Sequence, residues 1–136
     1  MKVFLDTNVI VSAVTTRGLC ADVFRTVLAE HQLVTSPRIL QETKRILKLK
    51  FSVPDALVNE YLELIEEDAI VAHATDVPVP GIKDKDDIEI VTAAVGAGVD
   101  VLVTGDREVQ SIKSIRKVRI VSPRAFWEEL TANQAL

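Results

Sequence analysis

Val-Phe-Leu-Asp-Thr-Asn, residues 3–8, places a short, continuous apolar run near the start of the chain and ends it abruptly in polar residues. Such runs are typical of strands that are buried on both faces of a parallel sheet. The pattern predicts a strand over residues 3–5 with Asp6 at its carboxyl end. A second stretch of the same design, Val-Leu-Val-Thr-Gly-Asp at residues 101–106, places Asp106 directly after a strand over residues 101–103.

Strand and helix patterns alternate along the rest of the chain. Further strands are predicted over residues 32–35, 69–72 and 118–121, and helices over residues 19–31, 36–49, 55–68 and 88–98 and in a short segment after Ser122-Pro123. This alternation implies parallel strands, right-handed crossovers and helices on both faces of one sheet. Because we find no internal repeat and no long linker, we expect an α/β fold in a single domain over residues 1–136.

The composition is that of a soluble globular protein. Of the 136 residues, 48% are hydrophobic and 26% are charged, and no apolar run approaches the roughly 18 residues that span a bilayer. The opening MKVFLD has an acid where a signal peptide has its apolar region, so we expect a cytoplasmic protein without a membrane segment. Cys20 is the only cysteine, and its apolar neighbours at helical spacing predict a packing role.

The net charge of −4 and the pI of about 5.2 argue at first against nucleic-acid binding. If four of the 20 acidic residues serve a metal site, however, the other 16 balance the 16 basic residues, and the distribution of charge then matters more than its sum. The densest basic stretch lies in residues 38–50. Its residues are Arg38, Lys44, Arg45, Lys48 and Lys50. They are candidates for guiding a phosphate backbone, and the alternative is an ordinary solvated helix face.

The two aspartates that follow the apolar strands are the first candidates for chemistry. Ligands of open α/β sheets bind beyond the carboxyl ends of strands, where the strand order reverses. Asp6 and Asp106 converge there if their strands are neighbours. Asp87 begins the helix before the second of these strands, and the residues alone leave open which end of the sheet it faces. Taken singly, an aspartate after a strand is more often a turn former or a helix cap than a catalytic residue.

Residues 1–125 resemble PIN-domain proteins, especially small prokaryotic ones grouped with VapC-like toxins. The matching motifs are FLDTNVIVSA, SPRILQETKRIL with its internal glutamate, DKDDIEIVTAA and VLVTGD. The resemblance implies a three-layer α/β/α sandwich with a five-stranded parallel sheet. It also implies four acids around one or two divalent ions, which by motif are Asp6, Glu42, Asp87 and Asp106. Asp87 is preferred to Asp86 because it lies three residues before Ile90, as the family's helix acid precedes its apolar position.

Oxygen ligands without a histidine or cysteine cluster favour Mg²⁺ or Mn²⁺ over Zn²⁺. Carboxylates brought together repel one another, and at least one resists ionisation unless a cation offsets the charge. The polar neighbours expected to support the site are Asn8, Ser12, Asp84 and Thr104. His31 and His73 stand apart near element ends, and we expect them to be ordinary surface or packing residues.

The resemblance therefore implies a metal-dependent endoribonuclease that cleaves RNA with water. It further suggests the toxin half of a toxin–antitoxin pair, with a small antitoxin protein as partner, and a homodimer. Phe126 and Trp127 are predicted to be packing anchors or part of a dimer surface.

Four alternatives differ in what they require of the sequence. A haloacid-dehalogenase-type phosphatase needs a second aspartate two residues after the first, where this chain has Asn8. A Rossmann nucleotide site needs its glycines after a strand, whereas Gly96-Ala97-Gly98 follows a predicted helix. A flap-type DNA nuclease shares the fold but usually carries extra elements for branched DNA. A non-catalytic module would keep the acids for structure or metal alone.

Overall fold

A mostly parallel sheet with flanking helices forms the structure, a computed structural model that describes residues 1–134. The strands are β1 (Lys2–Leu5), β2 (Gln32–Thr35), β3 (Ile70–Val71), β4 (Val101–Val103), β5 (Ser114–Ile115) and β6 (Val118–Val121). The helices are α1 (Thr7–Thr15), α2 (Leu19–Glu30), α3 (Pro37–Leu49), α4 (Asp55–Asp68), α5 (Lys85–Gly96), α6 (Arg107–Gln110) and α7 (Pro123–Gln134). The predicted α/β class is confirmed.

The sheet has six strands in the order β3-β2-β1-β4-β6-β5, so the prediction of five was one strand short. The five predicted strands are present and mutually parallel. The additional strand, β5, pairs antiparallel with β6 through a short hairpin in which Arg116 has a φ of 52°. Because β5 contains two residues, it carries no alternation of polar and apolar side chains that a sequence pattern could reveal.

The strand order reverses between β1 and β4. From β1 the chain proceeds outward through β2 and β3, then returns to place β4 on the other side of β1. In the β1–β4 register, Leu5 lies opposite Val103, and the Asp6 amide donates to the Val103 carbonyl at 2.9 Å. The condition for convergence of Asp6 and Asp106 is therefore met, since the strands they follow are direct neighbours at the reversal point.

Helix α1 begins immediately after β1, where the sequence analysis placed only a polar turn. Asp6 is its N-cap and accepts a hydrogen bond from the Thr7 amide at 2.7 Å. Val9 and Ile10 of the first turns are buried. The run of β-branched residues in α1 has low intrinsic helix propensity, which conceals the helix in the sequence, and the cap and the burial of the apolar face stabilise it.

The core lies between the sheet and the helices around it. Phe4 of β1, Leu102 of β4 and Phe126 of α7 are fully buried, and Cys20 and Trp127 pack partly buried against the same cluster. Phe126 and Trp127 are thus packing residues, as is Cys20. No helix within residues 1–134 is both long and apolar enough to cross a membrane.

Candidate active site

Four carboxylates line one cavity of about 480 Å³ next to the point of strand reversal. Asp6 comes from the end of β1, Glu42 from α3, Asp87 from the first turn of α5, and Asp106 from the N-cap of α6. The fold thus brings together side chains that lie up to 100 positions apart in the chain. It also answers the question that the sequence left open, because the start of α5 faces the same cavity as Asp6 and Asp106.

Asp6 is the most constrained of the four acids. Its side chain is 7% exposed. One carboxylate oxygen accepts from the Thr7 amide at 2.7 Å, and the other accepts from Thr104 Oγ1 at 2.7 Å and Asn8 Nδ2 at 3.3 Å. Burial raises the pKa of Asp6, and the nearby Asp106 carboxylate raises it further, while these hydrogen bonds act in the opposite direction. The network fixes the orientation of the Asp6 carboxylate.

Glu42 projects from α3 towards α1. Ser36 caps this helix and Pro37 occupies its first turn, as the sequence predicts. Glu42 Oε2 accepts from Thr7 Oγ1 at 2.8 Å, so Thr7 binds Asp6 through its amide and Glu42 through its hydroxyl. Burial raises the pKa of Glu42, and the Asp6 carboxylate adds to the effect.

Asp84 organises the acidic start of α5. As the N-cap it accepts from the amides of Asp86 and Asp87 at 2.9 and 3.1 Å, and the two following carboxylates then diverge. Asp87 lines the cavity, whereas the carboxylate of Asp86 lies 3.7 Å from the guanidinium of Arg38. Asp84 supports Asp87 through the helix backbone and is not itself a cavity residue.

Burial and the surrounding negative charge raise the pKa of Asp87 to about 6. Burial is the largest cause, and the carboxylates of Asp84, Asp106, Asp6 and Glu108 follow in that order. These four charges are all negative, which is the situation that a bound cation relieves.

Asp106 and its neighbours join the β4 loop to α1. One Asp106 oxygen caps α6 by accepting from the Glu108 amide at 2.8 Å. Thr104 Oγ1 accepts from the Asp106 amide at 3.0 Å while donating to Asp6. The Gly105 amide donates to Asn8 Oδ1 at 2.9 Å. Asn8 and Thr104 therefore connect the two loops that carry Asp6 and Asp106.

The basic stretch of α3 divides into paired and unpaired side chains. Arg38 Nε donates to Glu89 of α5 at 2.8 Å, and Lys48 lies 3.4 Å from Asp55. Lys44 and Arg45 are exposed, and neither forms an ion pair with any residue that the structure describes. Lys50, at the end of the helix, lines the acidic cavity.

The acids surround the cavity without forming a closed set of ligands. Within residues 1–134, no three aspartate, glutamate, histidine or cysteine side chains already converge as a cation site. The donors are nevertheless all carboxylate oxygens, the ligands that Mg²⁺ and Mn²⁺ prefer. Three of the four acids have raised pKa values to which neighbouring carboxylates contribute. The donor set fits a hard divalent cation, and a cation's charge favours the approach of carboxylates that otherwise repel.

The two histidines lie outside this cavity. His31 Nδ1 is 3.3 Å from the N-terminal amine, and His73 is exposed. Ser12, by contrast, lines the cavity, so this supporting candidate lies close to the acids.

The cavity also has an apolar end, formed by Val11, Ile46 and Phe51, which was not predicted from the sequence. Only Phe51 offered a signal, since it is a large apolar residue in the break between two predicted helices.

Comparisons with known proteins agree with this architecture. A family model described as PIN domain matches residues 2–108. VapBC-1 from nontypeable Haemophilus influenzae is 20% identical at a TM-score of 0.60, covering 91% of this chain and 99% of that chain. VapBC2 from Rickettsia felis, in a crystal structure bound to a DNA fragment from its promoter, is 15% identical at a TM-score of 0.60, covering 90% of this chain and 98% of that chain. FitAcB from Neisseria gonorrhoeae is 16% identical at a TM-score of 0.56, covering 90% of this chain and 98% of that chain. A search of curated proteins gives no significant match.

Proposed function

This chain belongs to the PIN domain family, whose members are generally nucleases, and on that premise we propose that it is a metal-dependent endoribonuclease. The observation that carries the proposal is the convergence of Asp6, Glu42, Asp87 and Asp106 on one cavity from four separate elements. Asp6 and Asp106 are helix N-caps and Asp87 lies in the first turn of α5, so capping or the helix dipole alone would explain each of them taken singly. Capping does not explain why all three share a cavity with a half-buried glutamate.

We propose that these four carboxylates hold Mg²⁺ or Mn²⁺. When bound, such ions activate water and stabilise the leaving oxygen in phosphodiester hydrolysis. The protein's own residues orient the ligands. Thr7 positions Asp6 and Glu42 together, while Thr104 and Asn8 fix the loop of Asp106 relative to Asp6. These contacts are the outer support that ligating carboxylates require.

For the substrate, we propose that Lys44 and Arg45 make the first contacts with the RNA backbone, since both are exposed and neither forms an ion pair within the described residues. Arg38 and Lys48 remain candidates, but each already lies beside an acid, so their net attraction for phosphate is weaker. Charge reversal at Arg45 is expected to weaken RNA binding and flatten its salt dependence. An unchanged binding curve would make this face an ordinary solvated one.

We also propose a role as the toxin of a toxin–antitoxin pair that acts in the cytoplasm, with a small antitoxin as partner and a homodimer as the working form. The similarity of fold to chains of VapBC complexes supports this role. An open reading frame for a small protein beside the gene would strengthen it, and without one a role in RNA processing or turnover becomes the better proposal.

The deciding experiment is cleavage of single-stranded RNA in Mn²⁺, Mg²⁺ or EDTA by the parent protein, Asp6→Asn and a matched control. Asp22→Asn is a suitable control because Asp22 likewise lies near a helix start, in the first turn of α2, but pairs with Arg25 away from the cavity. Metal-dependent cleavage that Asp6→Asn loses and Asp22→Asn retains is the expected result, with 5′-phosphate products. A 2′,3′-cyclic phosphate would contradict attack by water. Metal binding without cleavage of RNA or DNA would indicate a non-catalytic module, and cleavage of DNA alone a DNA nuclease.

A further inference from the structure

The acidic cavity continues into an apolar groove between α1 and α4. This side groove has a volume of about 270 Å³ and is lined by Val14, Thr15, Phe51, Val53, Leu57 and Tyr61. Thr15 and Phe51 line both spaces, so the groove begins where the cavity of the four carboxylates ends. None of its six lining residues is acidic. Its chemistry therefore differs from that of the site to which it leads.

The distribution of aromatic residues marks this groove. The chain has four phenylalanines, one tryptophan and one tyrosine. Three of the phenylalanines are buried, and the tryptophan packs against the same core; these four residues are Phe4, Phe24, Phe126 and Trp127. The two remaining aromatic residues, Phe51 and Tyr61, both line the side groove, and Phe51 is 44% exposed. An exposed ring in a chain this poor in aromatics lies next to the carboxylate cavity.

The backbone holds Phe51 in place. The chain turns sharply after α3, with the Val53 amide donating to the Leu47 carbonyl at 3.0 Å and Ser52 at a φ of 51°. The ammonium of Lys50 lies 5.8 Å from the centre of the Phe51 ring. One short turn thus holds a positive charge over one face of an exposed aromatic ring at the outer end of the acidic cavity.

We propose that the side groove binds an unpaired nucleobase adjacent to the phosphate that is cut, with the base stacked on Phe51, Tyr61 as a second platform and Lys50 contacting the next phosphate. The inference rests on the proposed nuclease function and extends it to substrate recognition. Stacking of bases on aromatic side chains next to positive charge is the usual way in which proteins bind single strands. A paired and stacked base cannot enter such a groove. The groove therefore selects flexible single-stranded RNA over duplex.

A short fluorescent single-stranded RNA and its duplex, titrated in Mg²⁺ into the Asp6→Asn protein, test this proposal without cleavage. Introducing Phe51→Ala into the Asp6→Asn protein should weaken its affinity for the single strand about tenfold and leave its affinity for the duplex unchanged. Phe51→Trp should retain the affinity, whereas Phe51→Leu, which keeps apolar volume but has no ring, should lose it. Leu64→Ala is the matched control, because Leu64 lies on α4 with 42% exposure and lines neither cavity.

Equal single-strand affinity of the Phe51→Ala and Leu64→Ala proteins would overturn the proposal, as would equal losses for single strand and duplex. The groove would then be free for another occupant, such as a partner protein. Failure of the proposed function is distinguishable, because it appears in the parent protein as absence of cleavage while binding still depends on Phe51. The opposite pattern, cleavage in the parent with binding that is indifferent to Phe51, rejects the groove alone.

Discussion

Replacing Asp87 by asparagine should make the metal-free protein more stable while weakening its binding of metal. The reason is the environment of Asp87, where burial first of all, and then the carboxylates of Asp84, Asp106, Asp6 and Glu108, disfavour its ionised form. Asparagine has nearly the same shape and no charge. At neutral pH the substitution therefore removes the cost of burying a charge and the repulsion from the folded state, and it has little effect on the unfolded chain.

The size of the effect follows from the raised pKa of Asp87. A change from 3.8 to about 6 corresponds to about 3 kcal/mol if fully expressed, and screening of a half-buried side chain by solvent reduces this to about 1 kcal/mol. Between these pH values the folded protein binds more protons than the unfolded chain, so the free energy of unfolding falls as the pH rises. The stability that the parent protein gains from protonation of Asp87 is complete below pH 3.8 and lost above about 6. The advantage of Asp87→Asn over the parent is therefore full only above about pH 6.

The assay is thermal and urea unfolding in EDTA and in excess Mg²⁺, with Asp86→Asn as the control. Asp86 lies in the same helical turn and faces Arg38, so both variants lose the same favourable interaction with the helix dipole. At about pH 7.5 in EDTA, we expect the free energy of unfolding of Asp87→Asn to exceed that of Asp86→Asn by about 1 kcal/mol, which corresponds to a melting temperature about 3 °C higher. Mg²⁺ at ten times its Kd should stabilise the parent by about 1.4 kcal/mol and Asp87→Asn much less. Equal stability of the two variants, or an undiminished response of Asp87→Asn to Mg²⁺, would refute the reasoning.

Three further predictions concern other parts of the molecule. Arg38→Gln should weaken Mg²⁺ binding several-fold in calorimetry, because Arg38 joins the helices of Glu42 and Asp87, yet change stability by less than about 1 kcal/mol; a loss of RNA affinity alone would make Arg38 a phosphate contact instead. Gly96→Ala should lower the free energy of unfolding in urea by about 1 kcal/mol, since the new Cβ would lie 2.6 Å from Thr75 Cγ2. Thr75→Ser removes that methyl group and should restore the lost stability; a loss that persists in the double variant would contradict the clash. Phe126→Ala should cost about 3–5 kcal/mol, as its fully buried ring requires, and a loss below about 1 kcal/mol would contradict its assignment to the core.

The sequence was most informative for elements that have either a helical spacing of apolar residues or a continuous apolar run. The five parallel strands and the long helices α2, α3 and α4 follow from such patterns. Helix α1 was missed because its β-branched residues resemble a strand, and what decides its conformation is the cap from Asp6 and burial against the rest of the fold. The two-residue strand β5 and the four-residue helix α6 are too short for any pattern to appear.

The candidate site was predictable in part from residues and in part only by resemblance. The strand-end positions of Asp6 and Asp106 bring them together once β1 and β4 are neighbours. Glu42 and Asp87 lie on helices, whose orientation towards the sheet depends on tertiary packing, and only the family motifs singled them out. The ion pair of Arg38 with Glu89 spans 51 positions, and a basic stretch read in isolation cannot reveal that a partner lies on another helix.

The position of β4 beside β1 has a consequence for synthesis of the protein. Asp106 is made 100 positions after Asp6, and β4, the strand that precedes Asp106, must insert next to β1 at the centre of the sheet. At about 5–20 residues per second, the ribosome needs about 5–20 s to make this interval. During that time the nascent chain has at most three of the four acids. The cavity therefore cannot hold its full set of four carboxylates until the loop after β4 has been made.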